Sequence, residues 1–181
     1  MPYEPPPELA GLTLARIANL VAQRKLPAVE GWAPQAEGDS RMRIAKDGTW
    51  FHEDAPITRS GMVRAFSGLL IRDDSGAHWL VTPFEKLRVA VEDAPFVAVD
   101  VARKNGDLVF RLNTDDLVIA GPDNPLIATG DAERPALYLH VRRGCLARLN
   151  RSTYEQLAQI ALETADDWTV TSGGSTFTLH P

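Results

Sequence analysis

From residue 41 onward the chain alternates short apolar runs with two-residue turn signals, the pattern of hairpin-built sheets. Five such turns stand between apolar runs: Asp47-Gly48, Ser75-Gly76, Asn105-Gly106, Arg143-Gly144 and Gly173-Gly174. Asp-Gly and Asn-Gly are the strongest, because a type I′ turn needs positive φ at both central residues. Val97, Val99 and Val101 alternate with Ala98, Asp100 and Ala102. That period of two predicts a strand over 96–104, joined through Asn105-Gly106 to a second over 107–112. Two stretches switch to helical spacing. One covers 59–69 with Met62, Val63, Phe66 and Leu69 on one side, and the other covers 151–164 with Tyr154, Leu157, Ala158, Ala161 and Leu162. A further short helix is expected near the N-terminus, with Pro7 and Glu8 at its start and Pro27 beyond its end. Residues 28–40, rich in Gly, Pro, Ala and acid, read as a loop anchored by Trp32.

The pattern contains a repeat. Ile57-Thr58-Arg59-Ser60-Gly61-Met62 returns as Leu149-Asn150-Arg151-Ser152-Thr153-Tyr154. A hairpin precedes each copy, around Asp47-Gly48 and Arg143-Gly144, and another follows each, around Ser75-Gly76 and Gly173-Gly174. The predicted architecture is α+β: duplicated β-β-α-β-β units with antiparallel sheets, each burying one sheet face under its helix. The expected divisions are an N-terminal helix and loop over 1–40, a first unit over 41–95 and a second over 96–181.

Composition narrows the class. The chain has 181 residues, 44% apolar and 24% charged, which excludes a disordered or collagen-like polymer. Nineteen Lys and Arg face 24 Asp and Glu, a net charge of −5, which argues against a dedicated binder of extended nucleic acid. Cys145 is the single cysteine, so neither an intramolecular disulfide nor a cysteine-based zinc cage can form. No run approaches 18 uninterrupted apolar residues and the first residues carry no basic leader, so a cytoplasmic protein without a membrane partner is expected. No P-loop, dinucleotide glycine fingerprint, HExxH or GxSxG string is present, and no cofactor is expected.

Four strings carry a family resemblance: Asp47-Gly48-Thr49-Trp50, Pro56-Ile57-Thr58-Arg59, Trp79-Leu80-Val81-Thr82-Pro83-Phe84-Glu85-Lys86 and Val91-Glu92-Asp93-Ala94-Pro95-Phe96. Together they resemble the bacterial family called domain of unknown function 1285 (DUF1285). The resemblance runs from about Arg41 to the C-terminus. It implies a duplicated α+β core with a second copy loosely like a pleckstrin-homology fold. It also implies a ligand site between the copies and a signalling role, without an assigned reaction.

Several residues carry candidate chemistry. Thr82-Pro83-Phe84-Glu85 has the pattern of a capping box, with Thr at N-cap, Pro at N1 and Glu at N3. It reads either as a crossover cap or as a short helical turn aiming N–H groups and Lys86 at an anion. Glu92-Asp93 ahead of Ala94-Pro95 reads as a solvated strand end or as a carboxylate pair available for acid–base work. Arg59 and Arg151 stand at equivalent places in the repeat, at the first turn of each helix, where a cation opposes the helix dipole. Each is answered either by a carboxylate, such as Glu85 or Glu92 for Arg59, or by a ligand anion held bidentately. The basic run around Arg142-Arg143 reads mainly as a solvated turn. His52-Glu53-Asp54 lacks a partner histidine at metal-ligand spacing. Trp50, Trp79 and Trp168 read as core or interface anchors.

The favoured expectation is a non-enzymatic binding module in signal transduction. It takes a small anionic, nucleotide-like ligand between the two units, through Arg59, Thr82, Lys86 and Arg151, with Glu85, Glu92 and Asp93 orienting arginines or a ligand hydroxyl. The alternatives are a hydrolase using Glu92 or Asp93 as general base, and a scaffold for a protein partner.

Overall fold

The computed structural model describes residues 8–131, 133–164 and 167–181. Its first part departs from the single expected N-terminal helix. A 3-10 turn at Leu9–Gly11 comes first, and α1 (Leu14–Gln23) begins only after Thr13, whose hydroxyl accepts the N–H of Arg16 at 3.2 Å. That hydroxyl supplies the missing acceptor at the helix start, and Gly11 weakens any continuous helix through it. The proposed start at Pro7 lies outside the described residues.

The chain divides into two compact units. The first holds Lys25–Pro95 together with Arg142–Cys145, and the second holds residues 8–24, Phe96–Val141 and Leu146–Pro181.

In the first unit the strands are β1 (Ala36–Ile44), β2 (Trp50–His52), β3 (Ala55–Pro56), β4 (Leu70–Arg72), β5 (His78–Val81) and β6 (Glu85–Val91). Helix α2 (Ser60–Ser67) lies between β3 and β4. The six strands form one sheet in the order β3-β2-β1-β6-β5-β4. Ile44, Trp50, Leu70, Leu80 and Val89 are buried, and the Trp50 ring stacks on Phe66 of α2 with centroids 6.3 Å apart. This is the expected burial of one sheet face under a helix. The sheet is mixed, because β1 runs parallel to β6. Strand β1 also starts at Ala36, inside the segment read as a loop. Residues 36–39 pair through their main chain with Glu85–Arg88, so no apolar alternation was needed to place them.

Strands β7 (Phe96–Lys104), β8 (Asp107–Leu112), β9 (Leu117–Ile119), β10 (Leu126–Gly130), β11 (Pro135–Arg142) and β12 (Cys145–Leu149) form a second mixed sheet, which belongs to the second unit except for Arg142 and Cys145 at the β11–β12 turn. This sheet is curled into a half-barrel. Its order is β10-β11-β12-β7-β8-β9, with β12 parallel to β7. Helix α3 (Arg151–Thr164) follows, then a separate hairpin of β13 (Thr169–Ser172) and β14 (Ser175–Thr178). Leu9, Leu12 and Ile17 pack with Val109 and Leu117, which ties the N-terminal segment to this unit. The Ser172 hydroxyl accepts the Leu108 N–H and donates to the Ala120 carbonyl, both at 2.7 Å, so the last hairpin is fastened through a buried polar group.

Two expectations need correction. The sheets are not purely antiparallel, because each pairs its first strand with its last in parallel. Nor are residues 42–82 and 137–179 in-register copies: β4 and β5 complete the first six-stranded sheet, whereas β13 and β14 pair only with each other. The shared Arg-Ser string marks two helix starts, a local signal that any helix of this kind can carry. At the first, Arg59 is the N-cap itself; at the second, Asn150 caps through its side chain, accepting the Thr153 N–H at 2.9 Å. The strand orders match in another phase, with β1 through β6 in the arrangement of β7 through β12.

The turns follow their chemistry. Asn105-Gly106, Arg143-Gly144 and Gly173-Gly174 have positive φ at both centres, as type I′ requires. Glu53 and Asp54 form another such pair between β2 and β3, so the His52-Glu53-Asp54 string is a hairpin tip. Arg143 is not solvated as expected. Its side chain is 9% exposed and donates to the carbonyls of Gly68 and Pro27 and to Glu30. A Cβ on its neighbour Gly144 would come within 2.9 Å of the Arg72 carbonyl, so only glycine fits that position.

Candidate functional site

The residues expected to form one site are divided between the two units, Arg151 in the second and the others in the first. Arg59 is exposed at the start of α2 in the first unit and makes no ion pair among the described residues. Arg151 begins α3 in the second unit, is 92% exposed, and pairs with Glu155 one turn along at 3.0 Å. Glu92 does not answer Arg59. One carboxylate oxygen accepts from Arg43 at 2.8 Å and the other from the Lys46 N–H at 3.0 Å. Both oxygens are therefore engaged, a poor arrangement for a general base. Asp93 is half-buried beside it in the turn between β6 and β7.

The Thr82–Glu85 segment is a tight strand-to-strand turn with no helical turn in it. Half of the anticipated capping box exists. The Thr82 hydroxyl accepts from the N–H groups of Phe84 at 3.3 Å and Glu85 at 3.1 Å. The Thr82 N–H in turn donates to the Glu85 carbonyl at 2.9 Å, closing the hairpin. Those two N–H groups are thus satisfied internally instead of facing a ligand. The Glu85 side chain is exposed, and Phe84 at the tip is 83% exposed.

Lys86 is the expected residue that the fold places in a distinctive setting. Strands β5 and β6 pair antiparallel with Trp79 opposite Arg88, and the period of two puts Lys86 on the same face as Arg88. The Lys86 ammonium lies 4.3 Å from the centre of the Trp79 ring, and the Arg88 guanidinium carbon lies 5.5 Å from it. The indole is held in place at its edge, where its N–H donates to Asp73 at 3.0 Å. Asp73 also accepts from the Ser75 hydroxyl at 2.6 Å and from the N–H groups of Ser75 and Ala77. These bonds, that from Ser75 first and that from Trp79 next, hold its carboxyl well below the usual carboxylate range. The anion that orients the indole is therefore charged at every pH near neutrality.

The charges around the ring differ in their commitments. Lys86 pairs with Glu37 across the β1–β6 ladder at 3.2 Å, and Glu37 is well exposed. Such a pair contributes little net stability, about 0–1 kcal/mol, so a competing anion can draw the ammonium away cheaply. Arg88 has no carboxylate partner among the described residues. Farther along this face Arg43 lies over Phe51, with its guanidinium carbon 4.2 Å from the ring centre. From the sequence Trp79 reads as an anchor, and Arg88 belongs to no motif. Their juxtaposition follows from the hairpin register, which the spacing of Trp79 and Arg88 in the chain does not specify.

Among the described residues no group of three His, Cys, Asp or Glu side chains could hold a metal ion. No helix among them is long and apolar enough to cross a membrane. Cys145 is buried, and burial pushes its thiol up to about 12, which removes the thiolate a nucleophile needs.

The described units correspond to a recognised pair of domains. Residues 27–94 match the N-terminal domain of the DUF1285 family (domain of unknown function), and residues 95–179 match its C-terminal domain. The chain belongs to the DUF1285 family. A crystal structure of a DUF1285 family protein from Silicibacter pomeroyi DSS-3 is similar at 40% identity, over 92% of this chain and 94% of that one, with a TM-score of 0.77. A DUF1285 family protein from Shewanella baltica OS155 shares the fold at 24% identity, covering 65% of this chain and 90% of that one, with a TM-score of 0.54. No match was found among curated proteins.

Proposed function

We propose that this DUF1285 protein is a cytoplasmic, non-enzymatic binding module for a small anionic, nucleotide-like ligand in signal transduction, held on the first unit. The observation that carries this reading is the Trp79 ring, fixed by Asp73 and flanked by Lys86 and Arg88. Two weakly committed cations that lie over the ring turn aside to take a phosphate, and the immobilised aromatic surface they uncover accepts a base by stacking. Glu37 is the carboxylate the phosphate displaces from Lys86. A guanidinium without a carboxylate partner supplies a forked donor without an ion pair having to be broken first.

The matching strand orders support reading the two sheets as descendants of one unit. The curled second sheet followed by a C-terminal helix supports its pleckstrin-homology-like description. Both are part of the proposal and neither names a ligand.

The test is a thermal-shift and calorimetry series with nucleoside monophosphates, the matching nucleosides and inorganic phosphate. A nucleotide at 100 times its Kd adds about 2.7 kcal/mol of stability. Binding is expected to need both halves of the ligand and to fall at least tenfold in Arg88→Ala and in Lys86→Ala. No stabilisation by any nucleotide, or unchanged affinity in the Lys86→Ala/Arg88→Ala double variant, overturns the reading.

A further inference from the structure

A cavity unlike the face around Trp79 lies wholly within the second unit. About 270 Å³ in volume, it opens between the start of β11, helix α3 and the ends of the β13–β14 hairpin, lined by Asp131, Tyr154, Trp168, Leu179 and His180 among others. Its contents differ in kind from the cationic face around Trp79. Among the described residues two large aromatic side chains and a histidine share it with one side-chain carboxylate, and no lysine or arginine lines it.

Trp168 is the unusual member. Its φ is +56°, a left-handed conformation that a bulky side chain rarely adopts, and yet 41% of its surface remains exposed. The strain therefore does not serve to bury the indole in a core. It is held from outside: the Trp168 carbonyl accepts the N–H of the buried Leu179 at 2.9 Å, and the next residue, Thr169, pairs with Thr178. Backbone strain that a surrounding framework over-determines is a mark of functional positions. Here the framework presents an indole to a cavity.

Asp131 is equally fixed. One of its carboxylate oxygens accepts the N–H groups of Glu133 at 2.9 Å and Arg134 at 2.8 Å, which closes the loop between β10 and β11. Its other oxygen has no protein donor among the described residues. Tyr154 is placed by α3, whose start is capped by Asn150, so its ring rides on a regular helix.

We infer that this cavity binds a small organic cation, of the primary to quaternary ammonium class, between the Trp168 and Tyr154 side chains with Asp131 as counter-ion. Aromatic faces attract cations through their quadrupoles, most strongly indole, and the attraction grows as the cation is desolvated. A carboxylate at the rim adds long-range attraction, and no cationic side chain in the lining opposes it. The site is independent of the proposed nucleotide face, both in its residues and in the sign of the charge it accepts.

The probe is choline chloride, with 3,3-dimethylbutan-1-ol as its uncharged counterpart of the same shape, titrated into the full chain labelled with ¹⁵N at its indoles. The Trp168 indole resonance is expected to shift saturably with choline, with the neutral alcohol binding at least about tenfold more weakly. Asp131→Asn keeps an acceptor for the loop N–H groups and removes the charge, and it should weaken choline about tenfold. Trp168→Phe should retain part of the affinity, and Trp168→Ala should lose it. Equal binding of the alcohol, an unaffected Asp131→Asn variant, or no saturable shift at Trp168 overturns the assignment. The comparison of charged and uncharged probes on the unsubstituted protein decides the question even if a Trp168 variant fails to fold.

Discussion

The Arg143 guanidinium donates to the main-chain carbonyl of Gly68 at 2.6 Å, joining the Arg143-Gly144 turn to the segment that ends α2. The same fork reaches the Pro27 carbonyl at 2.7 Å and the Glu30 carboxylate, which draws Glu30 below its ordinary value mainly through that hydrogen bond. The main chain takes part as well, because the Arg143 carbonyl accepts the Arg72 N–H at 3.0 Å. Removing the side chain leaves the Gly68 carbonyl without its donor, frees the Glu30 carboxylate, and takes one of two donors from the Pro27 carbonyl, which keeps the Val29 N–H. Arg143→Ala should therefore destabilise the protein by about 2–4 kcal/mol in urea unfolding. Arg143→Lys should recover little, since an ammonium cannot reproduce the planar fork. A change below 0.5 kcal/mol would show these bonds to be dispensable.

His78 gives the protein an acid sensitivity. It is 8% exposed on β5, its Nε2 has no partner among the described residues, and its pKa is lowered to about 4. Burial is the largest cause, followed by the positive charges of Arg72 and Arg88, with Asp73 opposing them. A histidine depressed in this way is neutral when folded but takes a proton near pH 6.5 when unfolded. Its contribution is fully present above that pH and is lost as the pH falls from about 6.5 to about 4, by on the order of 3 kcal/mol. His78→Phe should flatten the stability profile in that window relative to the unsubstituted protein. Parallel profiles measured by urea titration would refute the assignment.

Cys145 should be inert in the folded state. With its thiol buried and pushed up to about 12, modification by a disulfide reagent at pH 8 should proceed only as fast as the protein opens. Labelling is expected to accelerate sharply through the urea transition. Stoichiometric reaction within seconds under native conditions would contradict the buried position.

The two residues that open α3 should behave oppositely. Asn150→Ala removes the acceptor for the Thr153 N–H and should lower stability by about 1 kcal/mol. Arg151→Ala breaks a solvent-exposed pair with Glu155 and should change stability by less than about 0.5 kcal/mol. Thermal denaturation of the two variants side by side reads the difference.

Local signals were legible without coordinates. Helix α3 and strands β7, β8 and β12 fall where periodicity placed them, since each carries its own alternation or apolar stripe and is bounded by a turn. Strands β9 and β10 carry no such mark, because the segments joining β8 to β9 and β10 to β11 contain no two-residue glycine turn. The shared string does not align the two sheets: Arg59-Ser60 and Arg151-Ser152 resemble one another as helix starts, while membership in a sheet is not written at helix starts.

The candidate site divides in the same way. Lys86 was recognisable as a cation beside a capping pattern, but its partners Glu37 and Trp79 come from two different strands. Arg143 looked like a solvated turn residue because turns usually are solvated, and only its surroundings make it a buried fork.

The amino-acid order alone determined the family, the α+β class, the starts of α2 and α3 and most hairpins, because these depend on residues within a few positions of one another. Tertiary structure decided the parallel closure of each sheet, the fate of each arginine and the setting of Trp79 and Trp168. Those depend on strand register and on main-chain pairing between distant segments, where any side-chain sequence compatible with the pleat can satisfy the same hydrogen bonds.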